Sequence, residues 1–418
     1  MKNLKPMILI LFFLSYLLPG CQKEPSPTPM PGEPVDSSSF FKVMWSVPIT
    51  SDTAQVISDH KFIHKGNIIN QKGFHGPTNI LSMYNGETGE KIWNWEDSKI
   101  RDGSEILGLT GMILKDNKLM IGHHNLTYFI NPDNGLTLLE DTPDSPDKLF
   151  LLQCSTLDDY IFRTVDPRGG PDDPYSELVY YDVKNLSSNK LLFHQPKEND
   201  FSPTVLGVNG YKNKNGDQIL LFQNRQYRFS PGRGKVDLIC YNLTQDTIVW
   251  KKEDLTASRN SNVQAPVIYN QKIYFAGASN IYCLDLFTGE EIWHSVPSPT
   301  QSSLVTSAYK IIDSKLIVND DEWNLMALDP ISGRTIWHIP EVGNSNKLEN
   351  YGDILFVASN DLIAIDVRKG KIIERLKPDT DRKNDASFFW ESIAVDHENK
   401  RVFATDGFFL MCLEINPK

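Results

Sequence analysis

The sequence predicts an all-β chain, an eight-bladed propeller of four-stranded antiparallel blades, on three observations. First, three stretches align without gaps: Met83–Trp93 (MYNGETGEKIW), Cys283–Trp293 (CLDLFTGEEIW) and Ala327–Trp337 (ALDPISGRTIW). Second, Gly289 and Gly333 are 44 residues apart, as are Trp293 and Trp337, and a fixed period of this size belongs to repeat architectures. Third, the last copy, Cys412-Leu413-Glu414, reaches Lys418 before its own Trp strand can begin, while Met44-Trp45-Ser46-Val47-Pro48 reads like Ile292-Trp293-His294-Ser295-Val296-Pro297. The N-terminal strand is therefore expected to complete the last blade, which removes an exposed sheet edge.

Taken from the start, Lys2 and Lys5 precede an apolar run from Met7 to Leu18. It is shorter than the ~20 residues a spanning helix needs and suits the core of a signal peptide. Leu18-Pro19-Gly20-Cys21 resembles a bacterial lipobox, so residues 1–20 are read as a lipoprotein signal peptide and Cys21 as the lipidated residue. Two or three acyl chains, at about 0.8 kcal/mol per buried methylene, would hold the protein stably on a membrane. Residues 21–39 carry Pro25, Pro27, Pro29, Pro31 and Pro34. They form an extended tether of roughly 55 Å at most, at about 3.1 Å per residue. Residues 40–418 are the propeller.

Five further copies of the repeat are weaker. Phe129–Leu139 (FINPDNGLTLL) has Gly135 in register and Leu139 in place of Trp; Cys240–Trp250 (CYNLTQDTIVW) has Asp246 in place of Gly; Ala364–Glu374 (AIDVRKGKIIE) has Gly370 and ends on Glu. Tyr180-Tyr181-Asp182 starts a copy with an expanded turn through Asn185 to Asn189, and Cys412-Leu413-Glu414 is the eighth. Each copy reads as strand, tight turn, strand. The Asp or Asn four residues before the Gly folds its side chain onto nearby backbone N–H groups. Gly89, Gly135, Gly289, Gly333 and Gly370 supply the positive φ of the turn. Ile and Trp of the following strand are expected to enter an interface, with Trp45, Trp93, Trp250, Trp293 and Trp337 docking between blades. A loop and two more strands complete about 45 residues, one blade.

The chain has 42 basic and 53 acidic side chains, a net charge of −11, which argues against a nucleic-acid partner. Of its five cysteines, Cys21 belongs to the lipobox. No CxxC or Cys-Cys pair exists among the others. Cys240, Cys283 and Cys412 share one repeat position, held by Ala327 and Ala364 in other copies, so they read as structural. Cys154 stands apart. His123-His124 on a strand would point to opposite faces, and no HExxH spacing occurs, so metal binding by histidine is not expected.

Four segments are candidates for contact with something else. Asp166, Asp172 and Asp173 in DPRGGPDDP offer oxygens to Ca²⁺, although the pattern is not an EF-hand. Arg225, Arg228, Arg233 and Lys235, with Tyr227 and Phe229 between them, form a basic stretch for an acidic partner or lipid headgroups. Asp320-Asp321-Glu322-Trp323 and Phe388-Phe389-Trp390-Glu391 combine aromatics with carboxylates, as sugar sites do; the same residues also suit blade packing. No GxSxG, Walker A or GxGxxG pattern occurs.

The pattern Ala-x-Asp-x-x-Thr-Gly-x-x-x-Trp resembles the tryptophan-docking repeat of PQQ-like (quinoprotein-type) β-propellers. That family includes quinoprotein dehydrogenases and BamB, a non-enzymatic lipoprotein scaffold of outer-membrane protein assembly. The resemblance implies a cell-envelope lipoprotein at the outer membrane that binds another protein without catalysis and needs no cofactor. It also leaves two alternatives, a glycan-binding surface lipoprotein and a divergent quinoprotein dehydrogenase. The vicinal disulfide of many such dehydrogenases is missing here.

Overall fold

The computed structural model describes residues 39–49, 61–71, 81–96, 111–123, 126–141, 148–167, 175–186, 189–197, 201–228, 233–256, 264–277, 279–343, 345, 347–378, 389 and 393–416. The proposed signal peptide, Cys21 and all of the tether but Ser39 lie outside them. Among the described residues, thirty-two strands form eight four-stranded antiparallel sheets, the blades of an eight-bladed propeller. Blades 1 and 2 span Lys61–Trp95 and Gly111–Asp141; blades 3 and 4 span Lys148–Pro196 and Ser202–Thr256; blades 5, 6 and 7 span Val267–Ser295, Leu304–Ile339 and Glu349–Leu376. Blade 8 takes three strands from Ala394–Ile415 and its fourth from Phe41–Pro48.

The N-terminal strand closes the ring, as the sequence predicts. Phe41 pairs with Ile415 and Pro48 with Phe409 along an antiparallel ladder. Phe40 and Phe41 pack with Leu413 and Ile415 of blade 8 and with Phe356 and Ala364 of blade 7. On the other side, Trp45 and Val47 join a cluster with Ile68 and Tyr84 of blade 1. The strand thus seals both seams. A side chain from blade 7 fixes its start: Glu374 accepts from the Phe40 backbone N–H at 2.6 Å and from Ser39 Oγ at 2.7 Å.

Within a blade, both faces pack on neighbours, so the middle strands read as unbroken apolar runs rather than alternating ones. Leu325–Leu328 and Ile354–Ala358 are buried at every position. Because each blade is a meander, its loops alternate between two faces. The hairpin from first to second strand and the Gly turn from third to fourth lie on one face. The loop from second to third strand and the link to the next blade lie on the other. The chain enters its first strand at Phe41 on the turn face.

Blades 3 and 4 differ in strand length. Their strands have 8 to 11 residues, against 3 to 6 in blades 1, 2, 5 and 7. The extra length of these two repeats is thus built as longer strands, not only as loops.

Candidate functional site

The repeat builds one kind of junction around the ring, best seen between blades 5 and 6. Asp329 opens the turn, and its Oδ1 accepts the Ile331 N–H at 2.8 Å while its carbonyl accepts the Gly333 N–H at 2.8 Å. Gly333 has φ +70°, and the Trp293 ring of the preceding blade covers it so closely that an added Cβ would lie 2.7 Å from Trp293 Cε3. The same contact joins Trp45 to Gly89, Trp93 to Gly135, Trp250 to Gly289 and Trp337 to Gly370. Each of these docking Trp residues therefore covers the next blade. Trp45 links blade 8 to blade 1.

The indole N–H completes the junction. Trp45, Trp93 and Trp337 donate to the carbonyls of Gly86, Pro132 and Val367 at 3.0, 3.0 and 2.8 Å, each three residues before the turn Gly. Trp293 differs: the equivalent Pro330 carbonyl accepts from the Tyr274 hydroxyl at 3.0 Å, and the Trp293 N–H is left without a partner. Where Trp is replaced, the contact changes in kind. Leu139 packs with Tyr181, Val183 and Leu186, and Glu374 holds the start of the N-terminal strand.

The expectation that Ile enters the interface beside Trp is not met. Ladder registers shift by one residue just before the docking position, for example between Cys283↔Trp293 and Leu284↔Glu291. The extra residue of this β-bulge is Ile292, left about half exposed, as are Ile92 and Ile336. A bulge turns the strand and re-aims its next side chain; here that side chain is the Trp. Strict alternation read from sequence cannot register this.

Cys240, Cys283 and Cys412 are unpaired, buried, and each in a different blade. They stand directly across the ladder from Trp250, Trp293 and Trp45, where Ala327 faces Trp337. In blade 1 the buried Met83 faces Trp93 in the same way, so the position takes a small or an adaptable side chain beneath the indole. Burial pushes the Cys240 and Cys412 thiols up to about 12 and the Cys283 thiol up to about 11. An unfolded thiol ionises near ~8.5, so above that pH the unfolded chain releases protons the folded one keeps, and stability falls as pH rises. Between pH 8 and 10 the wild type should lose about 1–2 kcal/mol per thiol more than a Cys240→Ala/Cys283→Ala/Cys412→Ala variant. Urea unfolding at the two pH values reads this directly. Equal losses in both proteins would show that the thiols titrate alike folded and unfolded.

The other candidates separate. Arg225 pairs with Val236 and Gln226 with Lys235, so Arg225 and Lys235 lie on opposite faces of their hairpin and form no joint patch. Arg228 and Arg233 are directly opposed at its end; their side chains, and Phe229, lie outside the described residues. Of the Ca²⁺ candidates, Asp172 and Asp173 fall outside the described residues and only the Asp166 backbone, paired with Leu149, is described. Among the described residues no group of three or more His, Cys, Asp or Glu could hold a metal ion. Phe389 is a core residue of the seam between blades 7 and 8, whereas Trp323 is 49% exposed. Phe388, Trp390 and Glu391 are not among the described residues.

Residues 220–406, less than half of the chain, match the sequence model of a family described as outer membrane protein assembly factor BamB. No curated protein matches. Among solved structures, BamB from Moraxella catarrhalis superposes with a TM-score of 0.57 at 13% identity, covering 90% of this chain and 99% of that one. Quinohemoprotein alcohol dehydrogenase from Comamonas testosteroni gives a TM-score of 0.61 at 9% identity, over 91% of this chain and 77% of the enzyme. The computationally designed protein Ika8 gives 0.58 at 12% identity, over 88% and 99%. At these identities the likeness is one of fold: an assembly factor, a dehydrogenase and a designed protein share it.

Proposed function

We propose that the chain is a lipid-anchored, non-catalytic propeller scaffold of the outer membrane that binds another protein of the cell envelope, in the setting of outer-membrane protein assembly. The observation that carries this reading is the hairpin Gln218–Arg228/Arg233–Asn242 of blade 4. Its strands are among the longest in the molecule, and it ends with Arg228 opposite Arg233 in a chain whose net charge is −11. A hairpin end carrying two arginines on an acidic protein suits an acidic surface of a macromolecular partner, since charge complementarity sets orientation and rate of encounter. The match to the BamB family over residues 220–406, which contains most of this hairpin, supports the same class of role.

The test is capture from native envelope by the full chain, wild type against an Arg228→Glu/Arg233→Glu variant. One or more envelope proteins should be retained by the wild type and lost by the variant, with unchanged melting temperature. A parallel Cys21→Ser protein should leave the membrane pellet. Saturable PQQ binding in the presence of Ca²⁺, with alcohol oxidation, would overturn the scaffold reading in favour of a dehydrogenase.

A further inference from the structure

Trp323 is a side chain that the packing of the propeller does not require: it is 49% exposed and belongs to no core cluster. It stands in the loop between the second and third strands of blade 6, on the face opposite the Gly turns. Its φ is +71°, a conformation that is an outlier for a bulky side chain. Most other non-Gly residues with positive φ, such as Asn270-Gln271 and Asp313-Ser314, sit in two-residue hairpins on the turn face, where such turns demand it. Trp323 also closes a hairpin loop, a three-residue one in which the Asp320 N–H donates to Asn324 O at 3.0 Å and the Trp323 N–H to Asp320 O at 3.3 Å. Its left-handed position is one that turns usually give to Gly or Asn, not to a bulky aromatic. Its two nearest companions in this respect are Gln301, φ +59°, and Glu341, φ +58°. They lie in the two blade-to-blade links that flank blade 6 on this same face.

The loop is held rigidly. Asp320 is fully buried. Its Oδ1 accepts the N–H groups of Glu322 and Asn324 at 3.1 and 2.9 Å; its Oδ2 accepts Ser298 Oγ at 2.7 Å and Asn324 Nδ2 at 2.9 Å. Backbone bonds tie both links to it: Asp321 N–H donates to Ser303 O at 2.9 Å and Val342 N–H to Trp323 O at 2.9 Å. A buried carboxylate and three loops thus fix a strained residue whose indole remains half exposed. Strain that the surroundings over-determine is characteristic of binding and catalytic sites.

We propose that Trp323 is a stacking platform for the pyranose ring of a neutral saccharide. A single flat indole offers one apolar face, and its surroundings are rich in hydrogen-bonding groups: exposed Thr300, Gln301, Asp321, Glu322 and Glu341. Ligand sites of this kind combine an apolar surface with a few placed polar groups. The carboxylates disfavour anionic ligands. The nearby cation Arg375 is already engaged by the Glu341 carbonyl at 2.9 Å and by Asp361 at 3.5 Å. A quaternary ammonium would call for a cage of several rings, and the described residues of these three loops contain one aromatic.

The full chain is titrated calorimetrically with maltohexaose, cellohexaose, xylohexaose and chitohexaose, and separately with choline and a hexa-arginine peptide. At least one oligosaccharide should bind saturably, about tenfold or more weaker to Trp323→Ala, with Trp323→Phe in between. Trp323→Gly separates binding from structure: glycine suits φ +71°, so this variant should lose binding while its melting temperature holds or rises. The proposal is overturned if none of the four sugars binds at millimolar concentration, or if binding survives Trp323→Ala. It is equally overturned if choline or the arginine peptide is the ligand that Trp323→Ala removes, or if Trp323→Gly lowers the melting temperature. None of these outcomes depends on whether the basic hairpin captures a protein.

Discussion

A propeller domain beginning at Ile49 is expected to melt far below one beginning at Ser39. The shorter chain lacks the fourth strand of blade 8, and Phe403, Cys412 and Leu413 lose the cover they share with it. Phe40 and Phe41 are 3% and 4% exposed. Burial of each is worth about 1.5–3 kcal/mol, and Trp45 adds its contact with Gly89, so the loss exceeds about 5 kcal/mol. That is a large share of the ~5–15 kcal/mol that keeps a typical domain folded. The third strand of blade 8, Phe409–Ile415, also becomes an edge with unpaired backbone groups, which favours aggregation. Glu374→Leu is the graded version. It removes the acceptor of two hydrogen bonds at the start of the strand, one to the backbone, and should cost about 1–3 kcal/mol while leaving the strand in place. Thermal melts of the three proteins test the order. Equal melting temperatures for the Ile49 and Ser39 chains would mean that the ring closes without its N-terminal strand.

What made the closure legible was redundancy. An incomplete copy at one end and a surplus Trp strand near the other make sense only together, and eight copies let a missing Trp or Gly be read by position. Single features carry no such check. The bulge that exposes Ile292 depends on hydrogen-bond register, which apolar alternation does not encode. Glu374 occupies a docking-Trp position, so its departure from the repeat was visible, but its partner lies 334 residues away in sequence. The basic stretch illustrates the opposite error. Arg225 and Lys235 look adjacent in composition, yet cross-strand pairing puts them on opposite faces. Trp323 and Phe389 read alike as aromatics beside carboxylates. Only packing separates a core residue from an exposed one, because nothing in either segment states which neighbours will cover it.

Gly333→Ala should be among the most damaging single-methyl changes in the molecule, and Gly352→Ala supplies its control. Both glycines have positive φ, +70° and +57°, so each substitution bears a comparable backbone strain of roughly 1–2 kcal/mol. Nothing lies within 4 Å of a Cβ on Gly352, whereas a Cβ on Gly333 would lie 2.7, 2.8 and 3.1 Å from three atoms of the Trp293 ring. The indole cannot yield cheaply, because Tyr274 packs against its ring with centroids 6.1 Å apart and Cys283 faces it across the ladder. Displacing it opens the seam between blades 5 and 6 and should add about 1–3 kcal/mol to the strain, as overpacking does. The difference between the two variants therefore measures the docking contact alone. Blade 2 suggests how to confirm the cause, since Leu139 stands at the docking position there. Trp293→Leu loses part of the contact by itself but should make room for the methyl group that Gly333→Ala adds. In a double-mutant cycle Gly333→Ala and Trp293→Leu are then expected to cost clearly less together than the sum of the two single changes. Strict additivity would mean that the glycine is needed for its backbone conformation only, and that the tryptophan does not dock on it in solution.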